Sequence, residues 1–338
     1  MKKIVIIFFL SFVLVSCSSG NENITPSTFS IPVTYVAGQE YDLGAHDFYS
    51  RVWKDGVAQL SLVNNTQPAT VLKFFINGND VYTCGMIGGG SQARGFIHKN
   101  GVALLVSTSF ASISSIFVSG NDVYAVGGTH AIGEVLMWKN GVETTISPVN
   151  NTTFKSIAAY SIYVAGTDVY ICGAEEVGFM YKRKAIMWKN GIKSTLFEHP
   201  NTSVWAHQIV VSSNDVYVAM TGRFWKNGVI TPLNNSAQSN YAIEATGIFV
   251  VGADVYICGY SGNSSTVAVC WKNGVSINLP EGVEANAIYV KNNDVYVVGI
   301  GNEPNVPNAG SFYKGLVWKN GIIENTFPHS TPRDVFVN

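Results

Sequence analysis

The 338-residue chain carries 21 Lys and Arg against 22 Asp and Glu, a formal charge of −1. Only 13% of its residues are charged and 12% are aromatic, a balance that suits a β-rich protein working outside the cytoplasm. The body of the chain has no basic run, so nucleic acid and anionic membrane surfaces are poor partners.

The chain opens Met1-Lys2-Lys3 and runs apolar from Ile4 to Val15. A basic start and an apolar stretch too short to span a bilayer read as an export signal. The stretch ends Leu14-Val15-Ser16-Cys17, which resembles a bacterial lipobox. The resemblance implies cleavage before Cys17, lipidation of its thiol and new amino terminus, and firm anchoring by two or three acyl chains. Ser18 after the cysteine implies the outer membrane, by the sorting rule of proteobacterial lipoproteins. Losing Lys2 and Lys3 with the leader takes the charge from −1 to −3. Residues 1–17 are thus the leader, 18–31 a Ser/Thr/Asn-rich flexible tether, and 32–338 the folded body.

In that body two phrases alternate. Trp-Lys-Asn-Gly or a close variant starts at Trp53, His98, Trp138, Trp188, Trp225, Trp271 and Trp318. Asp-Val-Tyr starts at Asp80, Asp122, Asp168, Asp215, Asp254 and Asp294. A period of about 44 residues signals a propeller or a solenoid. In the unit Glu284 to Asn325, Ala285–Val290 is strand A and Asp294–Gly299, after an Asn turn, is strand B. After a long loop come Gly315–Lys319 as strand C, the Asn320-Gly321 turn, and strand D. Asn-Gly is the strongest short hairpin signal, because type I′ turns need positive φ at both central positions. Four short antiparallel strands per unit predict a propeller blade. Strand A repeats an Ile-aromatic-Val slot, as in Ile162-Tyr163-Val164. Both of its sides are apolar, as expected if neighbouring blades cover both faces.

The ends complete the count. Arg333–Asn338 fits strand A, while Pro32–Gly38, Arg51–Lys54 and Val57–Leu60 fit B, C and D. One blade is therefore split between the termini, which closes a seven-bladed ring and removes open sheet edges. The pattern resembles kelch-type propellers, with their Tyr-containing second strand ending in Gly. The resemblance covers essentially the whole mature chain and supports the architecture; kelch-like propellers include scaffolds and oxidases, so it leaves function open.

The repeated Asp reads as a turn residue whose carboxylate accepts backbone N–H bonds. The repeated Trp reads as packing between blades. Cys84, Cys172 and Cys258 share one slot of their repeats; Cys270 lies near Cys258, which leaves a disulfide open beside the reading as buried free thiols. No metal-ligand spacing or cofactor motif is present.

Function is sought where the repeats differ. The B–C loops vary: 86–94, 129–134, 174–184, 260–266 and 301–314 are long, whereas 218–224 turns directly, with Met220 in a slot elsewhere held by Gly. Two residues before each Ile slot stand Arg333, Leu72, Ser114, Tyr160, His207, Thr246 and Asn286, followed one residue later by Asp334, Lys73 and Gln208 among others. From this polar, non-repeating ring at the channel mouth, Lys73, Tyr160, His207, Gln208, Asn286 and Arg333 are the candidate ligand-binding residues. Glu175-Glu176 beside Lys182, Arg183 and Lys184 reads as a solvated ion-pair cluster. Gly-x-Ser-x-Gly, phosphate-loop and His-Glu-x-x-His motifs are absent. The expectation is a monomeric, lipid-anchored, non-catalytic binding or scaffold propeller of the cell envelope, without cofactor or metal. It would recognise an envelope protein or glycan through its variable face. The alternative is a polysaccharide-active hydrolase or lyase at the channel mouth, with His207 or Tyr160 assisting. Such an enzyme needs two carboxyls about 5–10 Å apart, and Asp334 is the acid that strand A is expected to place there.

Overall fold

The computed structural model describes residues 32–60, 63, 69–88, 92–129, 133–147, 156–178, 182–234, 242–303 and 312–338. The leader, Cys17 and the tether at 18–31 lie outside them, as do the tips of several B–C loops. Strands β1 to β28, numbered in chain order, form seven four-stranded antiparallel sheets. This is the seven-bladed propeller read from the repeats. The split blade has the order β28 (Ser330–Val337), β1 (Thr34–Asp42), β2 (Asp47–Lys54), β3 (Val57–Ala58). Its closing register pairs Tyr35 with Phe336 and Val36 with Val335. The B and C strands run further than expected. Thus β13 (Asp168–Val177) and β14 (Lys182–Lys189) stay paired out to Val177 and Lys182, so much of the segment assigned to a loop is ladder.

The two repeated phrases prove to be one clamp. Asn320 and Gly321 take φ of +52° and +80°, as a type I′ turn requires. The Asn320 Oδ1 accepts the Val295 N–H at 2.8 Å, and its Nδ2 donates to Asp294 Oδ1 at 2.8 Å. Lys319 Nζ lies 2.9 Å from Asp294 Oδ2 and 5.2 Å above the Tyr296 ring. The same set recurs at Asp80, Asp122, Asp168, Asp215 and Asp254. The repeated Asp is therefore structural, but not by accepting turn N–H groups. The Asn amide takes the N–H, and the carboxylate takes the Asn and the Lys. In the first blade Asp55 fills the Asn position and accepts the Thr34 N–H directly.

The Trp residues pack between blades. Trp318 is fully buried with Ala268, Cys270 and Leu279 of the preceding blade, and its indole N–H donates to Pro280 O at 3.0 Å. His98, in the Trp slot of another blade, is buried beside Phe96, and burial lowers its pKa. Cys258 and Cys270 face each other across β21 (Asp254–Gly262) and β22 (Thr266–Lys272) as buried free thiols, each pushed up to about 12 chiefly by burial. Cys84 and Cys172 are likewise free and buried.

The inner strands are β4 (Ala69–Asn77), β8 (Ala111–Ser119), β12 (Ile157–Ala165), β16 (Ala206–Ser212), β20 (Ile243–Val251), β24 (Gly282–Lys291) and β28. Their Ile and Val are buried between blades, as Ile162 and Val164 show. Their aromatics are half-buried, packed against the cores between neighbouring blades as expected. They meet one another around the channel: Phe75–Phe117, Phe117–Tyr163, Phe249–Tyr289 and Tyr289–Phe336 ring centroids lie 4.7–5.0 Å apart. One level nearer the mouth, side chains stitch four of the blades to the next. Asp334 takes Lys73 Nζ at 3.1 Å and the Phe74 N–H at 3.2 Å. Ser115 takes the Ile162 N–H, Ser161 the Ile209 N–H, and Gln208 Oε1 the Ile248 N–H at 2.9 Å.

Candidate functional site: the channel mouth

Each inner strand breaks its pairing with strand B at one shared position, and β24 breaks it a second time, at Val283. The residues unpaired at the shared position are Leu72, Ser114, Tyr160, His207, Thr246, Asn286 and Arg333, the ring of polar, non-repeating positions singled out above. A β-bulge inserts one residue and re-aims the side chains around it. In β12 the buried positions are Ile157, Ala159 and Ser161, then Ile162 and Val164, so the alternation changes phase just after the bulged Tyr160. The glycine opposite the bulge permits this. A Cβ on Gly259 would lie 1.8 Å from Glu244 O, and one on Gly299 would lie 2.0 Å from Glu284 O. Because of the phase change, residues two and four places before the Ile slot share the half-buried side of the strand.

Four places before the Ile slot, two neighbouring blades carry carboxylates: Glu244 on β20 and Glu284 on β24. Sequence reasoning missed both. Asp334, the acid expected at the mouth, lies a level deeper and is used in blade stitching. Glu244 Oε2 accepts from Thr221 Oγ1 at 2.9 Å and lies 3.1 Å from His207 Nε2. The His207 ring lies 6.1 Å from that of Tyr160, nearly parallel, and Arg183 Nη1 reaches the Tyr160 hydroxyl at 3.5 Å. Tyr260, the register partner of Glu244, feels both carboxylates. Its pKa is pushed up to about 12, first by burial and then by Glu244 and Glu284. Burial also raises Tyr160, with Arg183 opposing. Glu284 accepts no side-chain hydrogen bond among the described residues.

Of the six candidate residues, Tyr160, His207 and Arg333 stand at this mouth. Lys73 and Gln208 lie in the stitching level, engaged with Asp334 and the Ile248 N–H. Asn286 donates to Pro332 O at 2.7 Å on the next inner strand. Glu175 bridges Lys184 and Lys193, but Glu176 is buried, Lys182 donates to Pro200 O and Arg183 turns to Tyr160, so only part of the expected solvated cluster forms. A cavity of about 320 Å³ lies between the stitching and the aromatic rings. A larger one, about 460 Å³, lies on the opposite face between Tyr256, Ile277, Leu279 and Val295. Its lining is almost wholly apolar, whereas the mouth gathers acids, a base and phenols.

No family model matches the chain, and no curated protein matches it. The kelch resemblance and the lipobox therefore gain no support from relatives. Among solved structures the chain is similar to a thermostable family-43 glycoside hydrolase, at 11% identity and a TM-score of 0.39, over 66% of this chain and 96% of that one. It is also similar to an exported protein of Bacteroides fragilis, at 11% identity and a TM-score of 0.38, over 78% of this chain and 84% of that one. These likenesses concern the fold alone. One expectation does not stand, that the ring is no enzyme. The missing motifs excluded only chemistries with contiguous signatures. Carboxylates contributed by separate blades leave none.

Proposed function

We propose that the ring is a glycan-active hydrolase whose site is the channel mouth, with Glu244 and Glu284 as its carboxyl pair. The observation that carries this is the placement of two carboxylates on adjacent inner strands, around Tyr260. Glycoside cleavage needs one carboxyl to protonate the leaving oxygen and a second, ionised, to assist attack at the anomeric carbon. Glu244 is held in a fixed geometry by Thr221 and His207. Glu284 accepts no side-chain hydrogen bond among the described residues and stands as the second carboxyl of the pair. Bulges on rigid strands give such side chains defined positions. The leader and the lipobox support a site of action outside the cytoplasm, with the monomeric ring tethered at Cys17 to the outer membrane.

The test is release of reducing ends by the chain without its leader, from a panel of neutral and acidic polysaccharides. Release from at least one polymer, lost in Glu244→Gln and in Glu284→Gln at unchanged melting temperature, is the expected result. No release from any polymer, or release that survives both substitutions, contradicts the reading.

A further inference from the structure

We infer that the mouth takes an acidic saccharide and that Arg333 receives the carboxylate of one of its sugars; this rests on reading the mouth as a glycan site. Arg333 is the bulged residue of the closing strand. Its Nε is buried and without a hydrogen-bond partner, and no hydrogen bond or ion pair to its side chain exists among the described residues. Other half-buried cations have polar partners: Lys73 has Asp334, Arg51 has Glu40, and Arg183 has the Tyr160 hydroxyl. Burial depresses the Arg333 pKa, and Glu284 acts in the opposite sense, near enough to be felt but not paired. Arg333 as a whole is half-buried, but its Nε is out of water, and a donor so placed with no partner is penalised unless a group of opposite sign arrives.

The shape of the group narrows what arrives. Guanidinium presents a planar fork of donors that matches a carboxylate in two parallel hydrogen bonds. Glu244, Glu284 and Arg333 come from three successive inner strands, so the acidic sugar lies on the Glu284 side of the bond to be cleaved. Arg333 thus acts in binding and selection, while the carboxyl pair acts on the bond.

Binding is measured by titration calorimetry on the Glu244→Gln/Glu284→Gln protein, which prevents turnover. The probes are oligomers of galacturonate, alginate and hyaluronate, their methyl esters, a neutral cello-oligosaccharide, a sulfated oligosaccharide and a polyglutamate peptide. The expected result is that at least one uronate oligomer binds, and that esterification or Arg333→Gln each weakens it by about tenfold or more. Arg333→Lys should restore part of the loss. Binding of no uronate, equal binding of the ester or the neutral oligomer, tighter binding of the sulfated sugar or the peptide, or indifference to Arg333→Gln overturns the inference. If Arg333→Gln does not fold, the acid-against-ester comparison on the Arg333 protein decides alone. Release of neutral sugars that depends on Glu244 and Glu284 would sink this inference and leave the hydrolase reading standing. Uronate binding that needs Arg333, with no release dependent on the carboxyls, would do the reverse.

Discussion

Deleting Arg333–Asn338 removes most of the inner strand of the split blade. Val335 and Val337 are 4% and 0% exposed, and burying each is worth about 1.5–3 kcal/mol, an upper estimate because unfolded chains are partly compact. Phe336 loses its ring contact with Tyr289 at 5.0 Å, worth about 0.5–1.5 kcal/mol. Loss of Asp334 leaves Lys73 and the Phe74 N–H without their acceptor, about 1–3 kcal/mol for the stranded donors. The total of roughly 5–10 kcal/mol is comparable with the whole stability of a domain, about 5–15 kcal/mol. It also opens the inner edge of β1 to pairing with other chains. Thermal melting followed by circular dichroism, with size-exclusion chromatography, should show a fall of at least about 10 °C and aggregation. Removal of residues 18–30 is the control and should leave melting unchanged. A six-residue deletion that melts with the full chain would show that the termini do not close the ring.

Asn320→Ala breaks the clamp twice, by losing the bond to Val295 and by placing Ala at φ +52°, so urea denaturation should show about 1–3 kcal/mol of destabilisation. Asn320→Gly, which keeps the turn, should lose less; equal losses would refute the left-handed strain. The clamp carboxylates titrate below their ordinary value, Asp294 because of Asn320 and then Lys319, and Asp80 because of Lys99 and then Asn100. Their folded pKa is depressed, so their contribution is complete above the unfolded carboxylate range and is lost as pH falls through the folded values. Melting temperature should therefore drop below about pH 4, less steeply in Asp294→Asn; a slope unchanged by that substitution would place the acid sensitivity elsewhere. Cys17→Ala should move the protein from the membrane to the soluble fraction of its host, and retention in the membrane would remove the lipid anchor from the account.

The architecture was legible because its signals are local and repeated. Asn-Gly, or Asp55-Gly56 in the first blade, needs positive φ at each C–D turn, and the Trp two residues before it is buried in five blades, half-buried at Trp225 and replaced at His98. The split blade was legible because Val335-Phe336-Val337 fits a slot filled by every other inner strand. The site was only half legible. Tyr160, His207 and Arg333 stood out as variable residues in a uniform frame, but Glu244 and Glu284 did not. Period-two alternation carried straight back from Ile248 or Ile288 puts those glutamates on the face between blades. The bulge at Thr246 and Asn286 reverses that phase, and no single residue type announces it. The glycine opposite, Gly259 or Gly299, was the available trace, since only a residue without Cβ tolerates a carbonyl that close. Lys73 and Gln208 misled for a related reason: variable polar residues on an inner strand serve blade stitching as well as ligands, and only the hydrogen-bond partners separate the two.

The most direct test of the account is a double-substitution cycle on the rate of glycan cleavage, with native, Glu244→Gln, Glu284→Gln and doubly substituted proteins compared at matched stability. Groups that act together on one bond lose their effect together. Each single substitution should lower the rate by at least about a thousandfold, and the double by little more than the worse single. Two small losses that simply multiply, or a rate indifferent to either carboxyl, would contradict the assignment of the channel mouth as a catalytic site.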